Sequence, residues 1–577
     1  MLNKMLIRSF HILAVTAPPS AMGLESSQPR SVTFTPSGWR GMVAADDPQA
    51  AQWGTEILKR GGNAVDAAVA TAFGMAVTRP HYAALGGGGF MVHCPAPQNG
   101  LASECTVLDF REKAPLTAKK DMYIRNGKAD TTLSQQGALA SGTPGVPAGL
   151  LAALSQFGSR KVNQVLSDPI QWAKQGVRVS AHTETALSMS WTSFNAEARK
   201  IFSCQNKTET PCKAGDVLIQ SDLAKTLSLI SKKGHEGFYK GITAKRIAAA
   251  MKLDGGLISE ADLTSYKPQT RKPIVGKFRN YEVITMPPPS SGGILLVQLL
   301  KYFEFAQKSS HVDESPISWR THHSKTHAMS LAFSDRTTHL GDADFYPVPS
   351  DKLLSEKYLS ERWMSFRPDK AALPTAPGEP IKEPDQTTHL SVIDSAGNAV
   401  AMTLTVNGYF GSGYVPKGTG IVMNNEMDDF ALQPGVPNMF GLVGSEANSI
   451  APSKRPLSSM TPTIVRDDGG NARIALGAAG GPRIITSVYQ TIINRLHFGM
   501  SLTDSVAAPR IHHQWKPRQL FFEMNRFAPD VISKLKEMGY ELSEKEGLAV
   551  VHAVERSPNG QVFGAADPRG EGVAVAQ

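Results

Sequence analysis

The chain is poor in cysteine, in aromatic residues and in sustained runs of any one kind. Its 577 residues include four cysteines, 7% aromatic residues and 19% charged residues. No apolar stretch reaches the roughly 18–20 residues that a membrane-crossing helix needs, so no membrane span is expected. The formal charge is +9. It is spread along the chain with no block of about five or six like charges, so no nucleic-acid partner is expected. Cys94, Cys105, Cys204 and Cys212 match no zinc spacing. They form two close-spaced pairs, which fit either local disulfides in an oxidising compartment or buried free thiols. Gly86 to Gly89 lacks a following Gly-Lys-Ser/Thr and is not a phosphate loop. His323 and His327 stand at helical i, i+4 spacing within His322-His-Ser-Lys-Thr-His327. No acidic residue stands beside them in motif spacing, and no metal or other cofactor is expected. No internal repeat is visible.

The hydrophobic content is 41%, with 51 glycines and 38 prolines, which describes a globular, turn-rich protein. Lys4, Arg8 and the short apolar run Phe10–Ala17 have the outline of a signal peptide, although a disordered cytosolic leader has the same composition. Residues 1–35 are read as leader, and a periplasmic or secreted location is the expectation. Asp47-Pro48 is a helix start, and Gly61-Gly62 a stop. Asn63–Phe73 is dense in small residues, as in a buried helix. Residues 86–93 and 105–111 read as strands. Helix is expected between Pro147 and Gly176 with breaks at Gly158 and Pro169, and again over 220–254 and 322–340. Strand and turn are expected over 255–283, and an apolar strand at Gly420–Asn424. Composition and periodicity alone give a mixed α and β fold.

The most informative segment begins at Thr387. Residues 388–393 and 399–406 are strand formers, and Asp394-Ser-Ala-Gly-Asn398 between them is turn chemistry. A turn centred on Ala396 sets Thr387 opposite Thr405, near enough for their hydroxyls to meet. Such a pair is ordinarily plain β-structure. Upstream, however, Pro374–Gln386 is proline-rich and unsuited to a sheet. Cleavage between Gln386 and Thr387 would free a threonine whose amine and hydroxyl share one residue. An α-amine titrates near pH 8 and can serve as general base for its own hydroxyl.

From about residue 40 onward the chain resembles the gamma-glutamyltransferases, which are N-terminal nucleophile hydrolases. The matching blocks are Gly86-Gly-Gly-Gly-Phe90, Asp109-Phe-Arg-Glu112, Gly142-Thr-Pro-Gly-Val-Pro147, Pro289-Ser-Ser-Gly-Gly293, Leu340-Gly-Asp342, Thr387-Thr-His389, Asn424-Asn-Glu-Met-Asp-Asp-Phe430, Pro434-Gly-Val-Pro-Asn438, Lys454–Met460 and Gly480-Gly-Pro-Arg483. The resemblance implies a four-layered αββα sandwich and a precursor that cuts itself into residues 36–386 and 387–577. It implies Thr387 as nucleophile, Thr405 as its positioning hydroxyl, and Gly480 and Gly481 as backbone donors to an oxyanion. Arg111, Ser458 and Ser459 would hold a donor α-carboxylate, and Asn407, Glu426 and Asp429 its ammonium. The implied donors are glutathione and other γ-glutamyl compounds, and the acceptors are water, amino acids or peptides. Phe430–Asn448 resembles a lid loop. Phe440 stands where lidded members often carry tyrosine, and Gly408-Tyr409 departs from a Thr-rich pair found in some bacterial members. The rival expectations are an acylase for glutaryl side chains and a non-catalytic relative that keeps the fold.

Overall fold

The protein is described here by a computed structural model covering residues 36–204, 210–371, 387–433 and 435–577. The expected leader at 1–35 and the proline-rich stretch ending at Gln386 lie outside the described residues. Two seven-stranded sheets form the centre. One runs Val573–Ala576, Met42–Ala45, Thr388–Ile393, Ala399–Thr405, Gly88–Cys94, Thr106–Asp109, Gln269–Arg271. The other runs Ser37–Gly38, Val562–Ala566, Val550–Arg556, Ala472–Ala479, Thr463–Arg466, Tyr281–Thr285, Ile274–Phe278.

Alternation along the strands builds the layers. Val43, Leu390, Val392, Val400, Met402 and Leu404 pack against the helices Pro48–Lys59, Ala64–Thr78 and Val146–Phe157. Met42, Ala44, Ile393, Ala399 and Ala401 point the other way, into a core shared with Ile464, Ala475 and Val554 of the facing sheet. Helices Gly292–Lys308, Trp319–His339 and Arg483–Leu496 cover that sheet's far side. The result is the αββα order that the resemblance implies.

Helix starts follow their caps. Asp47 accepts from the Ala50 amide at 2.8 Å with Pro48 in first place. Asn63 and Asp66 form a capping box for a helix that is buried along its whole length. Cys94–Cys105 and Cys204–Cys212 are both disulfide-bonded. Among the described residues no helix is long and apolar enough to cross a membrane.

Four local expectations are corrected. Pro169 does not break its helix: it sits in the first turn of Ser167–Gln175, where a missing N–H costs nothing. Residues 220–254 form three helices, Ser221–Lys233, Glu236–Tyr239 and Gly241–Leu253, because Gly234 and Gly241 take left-handed φ of 56° and 64°. The 255–283 stretch includes a short helix, Glu260–Ser265, opened by a Ser259/Asp262 capping box. Gly420–Asn424 is not a ladder strand and makes one bridge, Met423 to Gly86. There the Asn424 side chain donates to the carbonyls of Gly86 and Gly142, both at 2.7 Å, and accepts from the Gly142 amide at 2.9 Å. A side chain thus does what a neighbouring strand would do.

The glycine run ahead of strand Gly88–Cys94 permits close backbone approach. A Cβ on Gly87 would lie 1.9 Å from the Thr405 carbonyl oxygen, and one on Gly86 would lie 2.0 Å from that of Val422. Gly87→Ala is therefore expected to destabilise the protein by about 2 kcal/mol or more and to displace Thr405. Thermal unfolding measures this, and a variant as stable as the parent would show that the close approach is dispensable.

Candidate active site

The hairpin pairs Thr388 with Leu404, His389 with Thr403 and Ile393 with Ala399, which is the register that a turn at Ala396 demands. Thr387 extends that register by one residue, and its Oγ1 lies 3.5 Å from Thr405 Oγ1. Thr387, His389 and Ser391 share the face turned toward the second sheet. His389 bridges Thr403 Oγ1 at 2.8 Å and Ser391 Oγ at 3.0 Å. Its ring lies over Gly477, where a Cβ would come within 2.3 Å of it. Burial holds His389 well below the usual histidine range, with His552 adding to the effect, so the ring is neutral. The Asn407 amide donates to Thr405 Oγ1 at 2.8 Å, fixing that hydroxyl from the other side. Asn407 takes a φ of 72° and donates through Nδ2 to the Asn425 carbonyl at 3.1 Å.

A cleft opens at this end of the hairpin. Thr387, Thr405, Asn407, Arg111, Glu426, Asp429, Ser458, Ser459 and Gly481 all line it. Gly480 precedes Gly481 where strand Ala472–Ala479 turns into helix Arg483–Leu496 and is not part of the lining. Phe440, Leu442, Met460 and Ile484 supply apolar wall. Tyr409 is not part of the lining, and its hydroxyl meets His182 Nε2 at 3.0 Å.

Arg111 dominates the electrostatics. It is 1% exposed and reaches Glu426 at 2.6 Å, Asp429 at 2.5 Å and Glu112 at 3.5 Å, while its Nε donates to the Pro456 carbonyl at 3.2 Å. Burial raises the Glu112 carboxyl to about 8 against the pull of Arg111. Burial likewise lifts Glu426 well above the usual carboxylate range, with Arg111 opposing. The cation and acids expected to grip opposite ends of a ligand are therefore paired with one another. Glu112 is not part of the lining but lies buried behind Arg111, a place the sequence does not reveal, because an acid beside an arginine ordinarily reads as surface. Arg336 also lines the cleft; its sequence signal, a cation in the last turn of a helix, is indistinguishable from a partner for the helix dipole.

The loop over the cleft is tied down without a tyrosine. Asp428 turns away from the cavity to accept from Ser134 Oγ at 2.5 Å and from the Met439 amide at 2.8 Å. Burial pushes its carboxyl up to about 6. Asn438 Nδ2 donates to Asp429 Oδ1 at 3.0 Å. Phe440 is buried against Gly481, and its carbonyl accepts from Gln514 Nε2 at 3.0 Å. Ser458 is held from below: its amide donates to the Pro289 carbonyl at 2.8 Å, and its own carbonyl accepts from the Ser291 amide and hydroxyl, both at 2.8 Å.

His323 and His327, the i, i+4 pair of helix Trp319–His339, have structural partners. His323 meets Tyr540 and the Arg367 carbonyl at 2.7 and 2.6 Å, and His327 meets Ser365 at 3.2 Å. Among the described residues no three metal-capable side chains cluster.

Known proteins share both sequence and fold with this chain. The glutathione hydrolase proenzyme of Escherichia coli K12 is 41% identical over 569 residues, covering 96% of this chain and 94% of its own. That of Pseudomonas aeruginosa is 40% identical, with 96% and 98% covered. Among solved structures, cephalosporin acylase from Bacillus halodurans superposes with a TM-score of 0.82 at 25% identity, covering 98% of this chain and 99% of the acylase. Helicobacter pylori gamma-glutamyltranspeptidase gives 0.53 at 39% identity, over 56% of this chain and 91% of that one. The sequence profile described as gamma-glutamyltranspeptidase matches residues 50–577, and with these identities over nearly the whole length the chain belongs to the gamma-glutamyltranspeptidase family.

Proposed function

We propose that the protein is a precursor that cleaves its own Gln386–Thr387 bond. It then moves γ-glutamyl groups from glutathione and related compounds to water, amino acids or peptides. The observation that carries this reading is the place of Thr387: at a strand end, 3.5 Å from Thr405 Oγ1, in a cleft that also holds Arg111 and Asp429. In the precursor the Thr387 hydroxyl attacks the Gln386 carbonyl, the peptide C–N bond breaks, and the resulting ester is hydrolysed. This leaves subunits of residues 36–386, after loss of the leader, and 387–577. The freed amine then takes the proton from its own hydroxyl as Oγ1 attacks a γ-carbonyl. The leaving amine departs protonated, and water or an acceptor amine releases the γ-glutamyl group from the ester.

Thr405 holds the nucleophile, and the Gly480 and Gly481 amides donate to the oxyanion, a contact worth about 10²–10³ in rate per donor. Arg111 with Ser458 and Ser459 takes the donor α-carboxylate, because a guanidinium fork suits a carboxylate. Asp429, Glu426 and Asn407 take the ammonium. Binding exchanges the Arg111 ion pairs for contacts with the ligand's own two charges, so no buried charge is left alone. A glutaryl donor has no ammonium for the two acids, which disfavours the acylase reading despite the shared fold. A periplasmic or secreted location fits the N-terminal composition.

Three outcomes are expected. Thr387→Ala should purify as one unsplit chain with only background turnover of γ-glutamyl-4-nitroanilide; a variant that still splits before residue 387 would remove Thr387 from the reaction. Arg111→Gln should raise KM for that donor by about tenfold or more, and an unchanged KM would exclude it from the carboxylate site. The third concerns Glu112. A carboxyl raised on folding stabilises fully below its unfolded value and loses that contribution as pH climbs to its folded value. The parent should therefore lose a component of stability between pH 4.5 and about 8 that Glu112→Gln does not lose. Urea unfolding at several pH values across that range measures it, and parallel slopes in the two proteins would contradict it.

A further inference from the structure

Arg336 has no part in the reading above, yet it lies in the wall of the same cleft. It sits in the last turn of helix Trp319–His339 and is 4% exposed. Its Nε donates to Ser291 Oγ at 3.2 Å. Through that serine it is braced against the Ser458 carbonyl, so its position is tied to the Ser458-Ser459 segment. The two terminal nitrogens form no hydrogen bond or ion pair with any described residue. Burial is the main influence on the guanidinium, lowering it to about 10; Asp429 opposes that and Arg111 adds to it, which marks both as neighbours.

The contrast with Arg111 is informative. Arg111 is bonded to Glu426 and Asp429 at 2.6 and 2.5 Å, and its Nε is taken by a carbonyl. A carboxylate arriving at Arg111 must first displace another carboxylate. One arriving at Arg336 displaces none and meets a cation already desolvated and held in place. A buried guanidinium with no direct ion pair is costly, and an arriving anion offsets that cost. Arg336 also adjusts the local charge: the charge of Arg111 is already met by Asp429 at 2.5 Å, and Arg336 adds a second cation to the cleft wall.

We propose that Arg336 is a second donor-specificity residue, whose free terminal nitrogens take the α-carboxylate of the γ-glutamyl donor beside Ser458 and Ser459. This rests on the γ-glutamyl reading of the cleft. On this account the carboxylate first meets Arg336, and the Arg111–Asp429 pair opens as the ammonium takes Asp429. The cleft then selects donors by two cations rather than one.

The test compares γ-glutamyl-4-nitroanilide with 4-aminobutyryl-4-nitroanilide, the same donor without its α-carboxylate, in parent, Arg336→Gln and Arg336→Lys. No turnover of the first donor by the parent would overturn the functional reading, and this inference with it. Given turnover, Arg336→Gln should raise KM for the γ-glutamyl donor by roughly tenfold with kcat within about threefold. Its kcat/KM for the 4-aminobutyryl donor should stay within about threefold of the parent's. Arg336→Lys keeps the charge but not the fork, and should give a smaller rise confined to the γ-glutamyl donor. If Arg336→Gln fails to mature, the lysine variant decides alone. An unchanged KM, or equal losses on both donors, would make Arg336 a support for Ser291 and overturn the proposal.

Discussion

The register between strands Thr388–Ile393 and Ala399–Thr405 governs everything downstream of it. Side chains on a strand alternate faces, so a slip of one residue would turn Thr387, His389 and Thr405 toward the helices. Several features make that slip expensive. Leu390, Val392, Val400 and Met402 would leave an apolar core. His389 would lose both hydroxyl partners and its seat over Gly477. At the turn, Asp394 Oδ1 accepts from the amides of Ala396, Gly397 and Asn398 at 2.9–3.0 Å, fixing the loop. The register thus delivers Thr387 to one mouth of the inter-sheet layer with a hydroxyl already opposite it.

The second constraint is electrostatic. Arg111, Glu112, Glu426 and Asp429 are charged groups almost removed from water, and such a set persists only when each charge has a partner or is neutralised by a proton. The raised carboxyls of Glu112 and Glu426 reflect the second route, and the short contacts to Arg111 the first. A site arranged in this way has low affinity for a ligand of one sign. It suits one that brings both signs at a fixed spacing, as the head of an amino acid does. The loop above belongs to the same arrangement, since Asn438 holds Asp429 while Asp428 holds the loop.

Much of this was legible in the sequence, for reasons that differ by element. The hairpin could be read because strand alternation and turn chemistry agreed on one register. Helix starts could be read at Asp47-Pro48 because capping is local. The stretch Gly420–Asn424 reads as a strand but is not one, because its hydrogen bonds are met by the Asn424 side chain and by chain far away in sequence. Pro169 reads as a break but sits in a first turn, because a proline's meaning depends on its place within the helix. Arg336 was not legible as a residue of the cleft wall: it reaches the cleft only when its helix packs on Ser291 and the Ser458 segment. The pairing of Arg111 with Glu426 and Asp429 was equally hidden, since block resemblance assigns partners in a complex and not contacts in the free protein.

The central claim is that the hydroxyl of an N-terminal Thr387 carries the transferred group. The most direct measurement is the intact mass of the protein quenched shortly after mixing with a γ-glutamyl donor. The expected result is two chains, of which the one that begins at Thr387 carries one added γ-glutamyl group that disappears on longer incubation. A single unsplit chain, or a γ-glutamyl group found on any other residue, would contradict the account.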